Sequence, residues 1–112
     1  MKVVYIAGPY SNGDVAVNVR NAIEVGMRIA DLGHYPLIPH LTHFAHLLFP
    51  RPYEYWLELD NRILERCDVL YRMSGSSSGA DKELELAKKL GVPVTNNYTI
   101  LLRHLLLKPK GD

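Results

Sequence analysis

The chain has 112 residues, 47% of them hydrophobic and 22% charged, which suits one domain, 1–112, with a modest core and no room for a second. Thirteen basic and twelve acidic side chains are spread along it for a formal net charge of +1, so nothing resembles the basic stripe of a nucleic-acid binder, and small ligands remain as partners. A single cysteine, Cys67, excludes an internal disulfide and a cysteine-based zinc site and fits a cytoplasmic location; no stretch is long enough for a membrane span or a signal sequence, so no membrane partner is expected.

Val3 to Ala7 is a β-branched and aromatic run closed by Gly8-Pro9, the pattern of a central first strand that ends in a loop. Gly13 or Asp14 caps the helix that follows, in which Val15, Val19, Ala22, Ile23, Gly26 and Ala30 recur at helical spacing as far as Leu32-Gly33. Tyr35 to Pro39 reads as a second short strand, and its prolines place it near a sheet edge. His40 to Pro50 is apolar with three histidines and is broken by Pro50-Arg51-Pro52, which predicts a loop and a short helical turn covering a pocket. Tyr53 to Cys67 is the second long helix, and Asp68 to Tyr71 the third strand. The Ser/Gly run from Ser74 leads into a helix ending at Leu90, Val92 to Thr95 is a fourth strand, and Ile100 to Leu107 a last apolar helix. Strands alternating with helices through short connections predict an α/β domain with a doubly wound parallel sheet. In that architecture ligands bind beyond the carboxyl ends of the strands.

Two helices carry an acid where an apolar residue belongs. At about 100° per residue, the stripe formed by Ala80, Leu86, Ala87 and Leu90 is centred near Glu83, and that formed by Tyr53, Trp56, Leu57, Ile63, Leu64 and Cys67 is centred on Asp60. A buried carboxylate is costly unless it is hydrogen-bonded or its pKa shifts, so each is either a satisfied structural acid or a catalytic group. Above a parallel sheet, such a pair suits glycosidic chemistry, one acid attacking an anomeric carbon and the other handling the leaving group's proton.

The other constellations carry less. The loop from Gly8 to Gly13 lacks both the G-x-G-x-x-G spacing and the Gly-Lys-Ser/Thr ending of the phosphate-binding motifs. His40, His43 and His46 have a metal-like spacing, but on a helix the first and third point about 120° apart and no acid or cysteine completes a set; no metal is expected. Cys67 on an apolar face reads as structural. Ser76 to Ser78, without a nucleophile elbow, read as ligand contacts or helix caps beside the backbone N–H groups that Gly75 and Gly79 leave accessible.

V-Y-I-A-G-P-Y-S from Val4, His40, Asp60, Cys67-Asp68 and S-S-S-G-A-D-K-E from Ser76, with Ala87 beyond, together resemble the nucleoside 2-deoxyribosyltransferase superfamily, including its branch that hydrolyses nucleoside 5′-monophosphates. The resemblance spans nearly the whole chain. It implies a flavodoxin-like fold, assembled as a homodimer or higher oligomer, and cleavage of an N-glycosidic bond without a cofactor. Glu83 falls on the family nucleophile that attacks C1′ of the sugar, Asp60 on the acid that assists the departing base, and Tyr5 on the tyrosine that orients the nucleophile. Gly8, Pro9, Tyr10, Ser11, His40, Ser77 and Gly79 form the implied substrate-binding set, with Trp56 and Tyr10 as stacking candidates. Ser77 stands where nucleoside-transferring members carry Asp and monophosphate hydrolases carry Ser, which favours a 5′-phosphate. Ser11, in contrast, stands where the hydrolases have Arg, so a phosphate would need Arg20, Arg51 or backbone N–H groups. The alternative function is a non-catalytic nucleotide-binding module on the same fold. Independently of the resemblance, Ile100, Leu106 and Leu107 extend the apolar surface of the last helix beyond one stripe, which points to an oligomer interface.

Overall fold

The structure, a computed structural model, describes residues 1–106. Its elements in chain order are β1 (Val3–Ala7), α1 (Val15–Asp31), β2 (Tyr35–Leu37), a 3₁₀ turn (Pro39–Leu41), α2 (Thr42–Leu48), α3 (Tyr53–Leu64), β3 (Val69–Arg72), α4 (Ser78–Leu90), β4 (Val94–Thr95) and α5 (Tyr98–Leu106). The four strands form one parallel sheet in the order β2-β1-β3-β4. The β-branched run of β1 is central, and the proline-bearing β2 lies on an edge, where a missing N–H costs no ladder bond.

Alternation along β1 divides the core in two. Val4 and Ile6 face a cluster with Val69, Ala22 and Ile29 of α1, and Leu101 and Leu105 of α5. Tyr5 and Ala7 face the opposite cluster with Leu70, Leu64 of α3, Cys67, and Ala80 and Ala87 of α4. Helices therefore cover both sides of a parallel sheet, the doubly wound, flavodoxin-like arrangement.

Several details depart from the periodic reading. In α1 the buried residue of the last turn is Ile29, and Ala30 is exposed; Gly26 lets the helix settle on the end of β2 and on Ile38 just beyond it, since a Cβ there would collide with Ile38 Cδ1 and lie 3.4 Å from Pro36 Cβ. α3 stops at Leu64, and its stripe is only partly covered because α3 packs chiefly against α4; Tyr53 and Ile63 are exposed. Leu90 is exposed at a shallow groove between α3 and α4. α5, in contrast, follows that reading: Leu101 and Leu105 are buried and Ile100 and Leu106 are exposed, while Leu107 lies outside the described residues.

The largest difference is α2, a regular helix that buries no residue. Leu41, Phe44, Leu47 and Leu48 face solvent, whereas Thr42, His43 and His46 turn toward the protein. The amphipathic rule is inverted because the inward side of α2 borders an open cavity rather than the packed core.

Candidate active site

The carboxyl ends of β1 and β3, the start of α4, and the segment from the 3₁₀ turn into α3 surround a cavity of about 540 Å³. One wall is made of loops locked together. The Met73 N–H donates to the Ala7 carbonyl (2.7 Å), and Gly75, at φ +111°, packs against Pro9 where a Cβ would fall 2.7 Å from Cγ. Only glycine combines that backbone with that approach. Asn12 Nδ2 donates to the Ser76 carbonyl (2.9 Å), tying the first loop to the Ser/Gly loop. The nearly buried Arg72 guanidinium pairs with Asp81 (3.0 Å) and donates to the Met73 and Gly75 carbonyls, which holds the loop onto the first turn of α4.

Ser77 is the N-cap of α4, its Oγ accepting from the Ala80 N–H (3.1 Å). The N–H groups of Ser78 and Gly79, both in the cavity wall, have no intrahelical acceptor at this position, and the helix dipole adds positive potential there. Glu83 lies on the buried face of the same helix and accepts a hydrogen bond from the Tyr5 hydroxyl, which rises from the centre of the sheet with no exposed surface. Burial pushes the Glu83 carboxyl up to about 7, partly opposed by the Tyr5 hydrogen bond and the Arg72 charge. The half-buried Asp60 is likewise pushed up to about 7, by burial and then by the Glu83 charge. Burial, Glu83 and Asp60 together raise the Tyr5 phenol far above its ordinary range, so Tyr5 remains an O–H donor.

The opposite wall holds the aromatic and imidazole groups. His40 is buried, and its Nε2 lies 2.9 Å from the Pro9 carbonyl, which can only accept; Nε2 carries the proton and Nδ1 is left buried without a partner. Burial lowers its pKa, with partial opposition from the Pro9 and Gly8 carbonyls. Tyr10 and His43 share a hydrogen bond (2.7 Å), as do Trp56 and His46 (2.9 Å). Tyr53 lies over Gly79, where a Cβ would sit 2.5 Å from the phenol oxygen, and the Glu83 charge adds to burial in raising the Tyr53 pKa.

Of the expected residues, Gly8, Tyr10, Ser11, His40, Ser77, Gly79 and Glu83 share this cavity, and Trp56 lines it too instead of packing in the core. Pro9 is not in the wall; its part is the carbonyl that holds His40. Asp60 is also outside the wall; the Glu83 charge raises its pKa, and its own charge helps to raise that of Tyr5. Neither Arg20 nor Arg51 reaches the cavity; Arg51 instead stacks 5.6 Å over the Tyr55 ring. Sequence reasoning missed Arg72 and Tyr53 as parts of the site, and it weighed His46 only as a metal ligand. Arg72 stands at the carboxyl end of a strand with an acid nine residues on, a signal that could have marked it.

A family model described as a domain of unknown function, DUF7768, matches residues 2–97. No curated protein matches. Among solved structures, a 2-deoxyribosyltransferase from the psychrotolerant bacterium Bacillus psychrosaccharolyticus, a biocatalyst for nucleoside synthesis, is similar at 19% identity. The match has a TM-score of 0.61 and covers 88% of this chain and 79% of that one. That likeness is one of fold, whereas the family model takes in the whole sheet and both acid-bearing helices: the chain belongs to the DUF7768 family.

Proposed function

We propose that this protein cleaves the N-glycosidic bond of a (deoxy)nucleoside or nucleoside 5′-monophosphate through a glycosyl-enzyme on Glu83, by hydrolysis or base exchange. The observation that carries the reading is the buried Tyr5–Glu83 hydrogen bond, in which Glu83 lines a cavity beyond the strand ends while Tyr5 and Asp60 stand behind it, outside the wall. The Tyr5 hydroxyl holds one carboxylate oxygen, leaving the other to attack C1′. As that C–O bond forms, the C1′–N bond breaks and its electron pair goes to the base. Asp60, in the form of the coupled pair that carries its proton, supplies the proton for that nitrogen from outside the cavity wall by way of one water. Water or a second base then attacks C1′ and frees Glu83. The fold likeness to a 2-deoxyribosyltransferase supports this chemistry. Incubation with nucleosides and monophosphates, followed by chromatography for free base and mass spectrometry for a glycosylated protein, tests it; no free base from any of them sinks the reading.

The protein is proposed to act as a homodimer or higher oligomer. Two faces support this: Ile100 and Leu106 are exposed on α5, and Leu41, Phe44, Leu47, Leu48 and Phe49 are exposed on and beside α2, where Thr42–Leu48 contains no Asp, Glu, Lys or Arg. Two copies of such a face meet across a twofold axis without like-charge repulsion. Light scattering at micromolar concentration measures it. A mass near 12.7 kDa would overturn the oligomer, and Leu47→Glu is expected to dissociate it.

A further inference from the structure

His46 is the histidine of this segment whose ring is fixed by two neighbours at once. Its Nδ1 lies 2.9 Å from the Trp56 indole nitrogen and 3.2 Å from the Arg51 backbone nitrogen. Indole and amide N–H groups are donors only, so Nδ1 accepts from both and carries no proton. The hydrogen of the neutral ring is therefore on Nε2. Among the described residues Nε2 has no partner, and it is not among the buried unsatisfied atoms, so it is solvent-accessible, on a residue that lines the cavity together with Glu83 and Trp56. The neighbouring rings differ: His40 uses its N–H on the Pro9 carbonyl, and His43 shares a hydrogen bond with a hydroxyl that fits either tautomer.

We propose that His46 is a specificity-determining residue, donating its Nε2–H to an acceptor on the heterocycle of the bound substrate, with Trp56 fixing the tautomer that makes it a donor. This rests on the nucleoside reading above and adds a rule to it. A fixed donor favours a base edge that presents a carbonyl oxygen or a bare ring nitrogen, and disfavours one that presents an amino group. Trp56 stands edge-on to the imidazole, with centroids 5.8 Å apart and planes at 81°, so turning His46 to offer its other edge would break the pair.

Trp56 is the only tryptophan, so its fluorescence reports on this contact. In a Glu83→Gln parent, which keeps ligands intact, the four natural 2′-deoxynucleosides and their 5′-monophosphates are titrated. His46→Asn places an amide oxygen where Nδ1 stood, keeping the acceptor for Trp56 and deleting the distal donor. His46→Gln restores a distal N–H and takes away that acceptor. Expected are a loss of roughly threefold to tenfold in affinity for the best ligand with His46→Asn, at unchanged emission of the free protein, and recovery of most of it with His46→Gln despite shifted emission. Equal affinity of His46→Asn and the parent, or an equal loss in both variants, overturns the proposal and leaves His46 as a prop for Trp56. Binding of none of the ligands to the parent overturns the nucleoside reading, and this inference with it. A two-bond ¹H–¹⁵N correlation spectrum of the unliganded wild type needs no variant to fold: the Nε2–H pattern is expected at His46, and an Nδ1–H pattern overturns the assignment.

Discussion

Tyr5 and Glu83, 78 residues apart in sequence, meet inside the packed face of the sheet, whereas His46 and Trp56, ten residues apart, meet beside a helix that buries nothing. The first wall is held by strand ladders, an N-cap and the Arg72 clamp, and its groups have little freedom to move. The second is held by a few side-chain contacts over the cavity. Chemistry that needs one charge at one place belongs on the first, and adjustment to the shape of a ligand on the second.

The largest effect should come from breaking the rigid wall at its charge. Glu83→Gln is expected to reduce base release by about 10³-fold or more, because an amide is not a carboxylate nucleophile. The same change should raise stability at pH 8. A carboxyl pushed up to about 7 holds its proton more tightly in the folded chain, so the associated stability is present below the ordinary carboxylate range and is lost as the pH rises through 7. The variant escapes that loss, giving a Tm above wild type at pH 8 and no such advantage at pH 4. Thermal melts at both values check it, and a lower Tm at pH 8 would show that the Tyr5–Glu83 bond outweighs the cost of burying the charge.

Asp60→Asn should follow, with a loss of about 10²-fold or more from removing an acid. Wild-type activity needs Glu83 ionised and Asp60 protonated, and both carboxyls titrate near 7, so the rate should pass through a maximum around neutral pH. The two limbs belong to the coupled pair rather than to either residue. Loss of the alkaline limb in Asp60→Asn is the diagnostic outcome, and an unchanged profile would remove Asp60 from proton transfer.

A contrast between two glycines tests whether the second wall is looser than the core. Gly79→Ala meets the far end of Tyr53, which can swing away, so stability should hold while KM rises several-fold. Gly26→Ala meets Ile38 inside the core and should cost about 1–3 kcal/mol without changing KM. Equal stability losses would mean that Tyr53 is as firmly packed as Ile38.

The rigid wall was the legible one. Glu83 and Asp60 broke helical periodicity, and the capped Ser/Gly loop had its own sequence signal; both are local patterns. The segment of α2 was read as a loop and short helical turn over a pocket because Pro50-Arg51-Pro52 breaks it; the pocket is there, but the outward set of its apolar residues was not legible, since helical periodicity assigns apolar residues to the inside. The partners of Arg72, His46 and Tyr53 depend on how two loops and a helix N-terminus converge, which spacing along the chain does not encode. Asp60 was legible as an inward acid, but its place outside the cavity wall was not, because periodicity gives a direction and no depth.

The smallest predicted effects lie at Ser77, where the cap and the ligand compete for one hydroxyl. Its oxygen already accepts from Ala80, so the O–H remains to donate to a 5′-phosphate beside the Ser78 and Gly79 N–H groups. No Lys or Arg lines the cavity among the described residues, which leaves these donors and the helix dipole to hold the charge. Monophosphates should then be cleaved better than nucleosides, and Ser77→Ala should narrow that ratio a few-fold while costing about 1 kcal/mol for the lost cap. Ser77→Asp separates the two roles. Aspartate caps a helix as well as serine, so the Tm should stay near wild type, but its charge repels a phosphate, and preference should move to the nucleoside. A cleavage ratio unchanged across wild type, Ser77→Ala and Ser77→Asp would leave Ser77 as a cap alone and place any phosphate elsewhere.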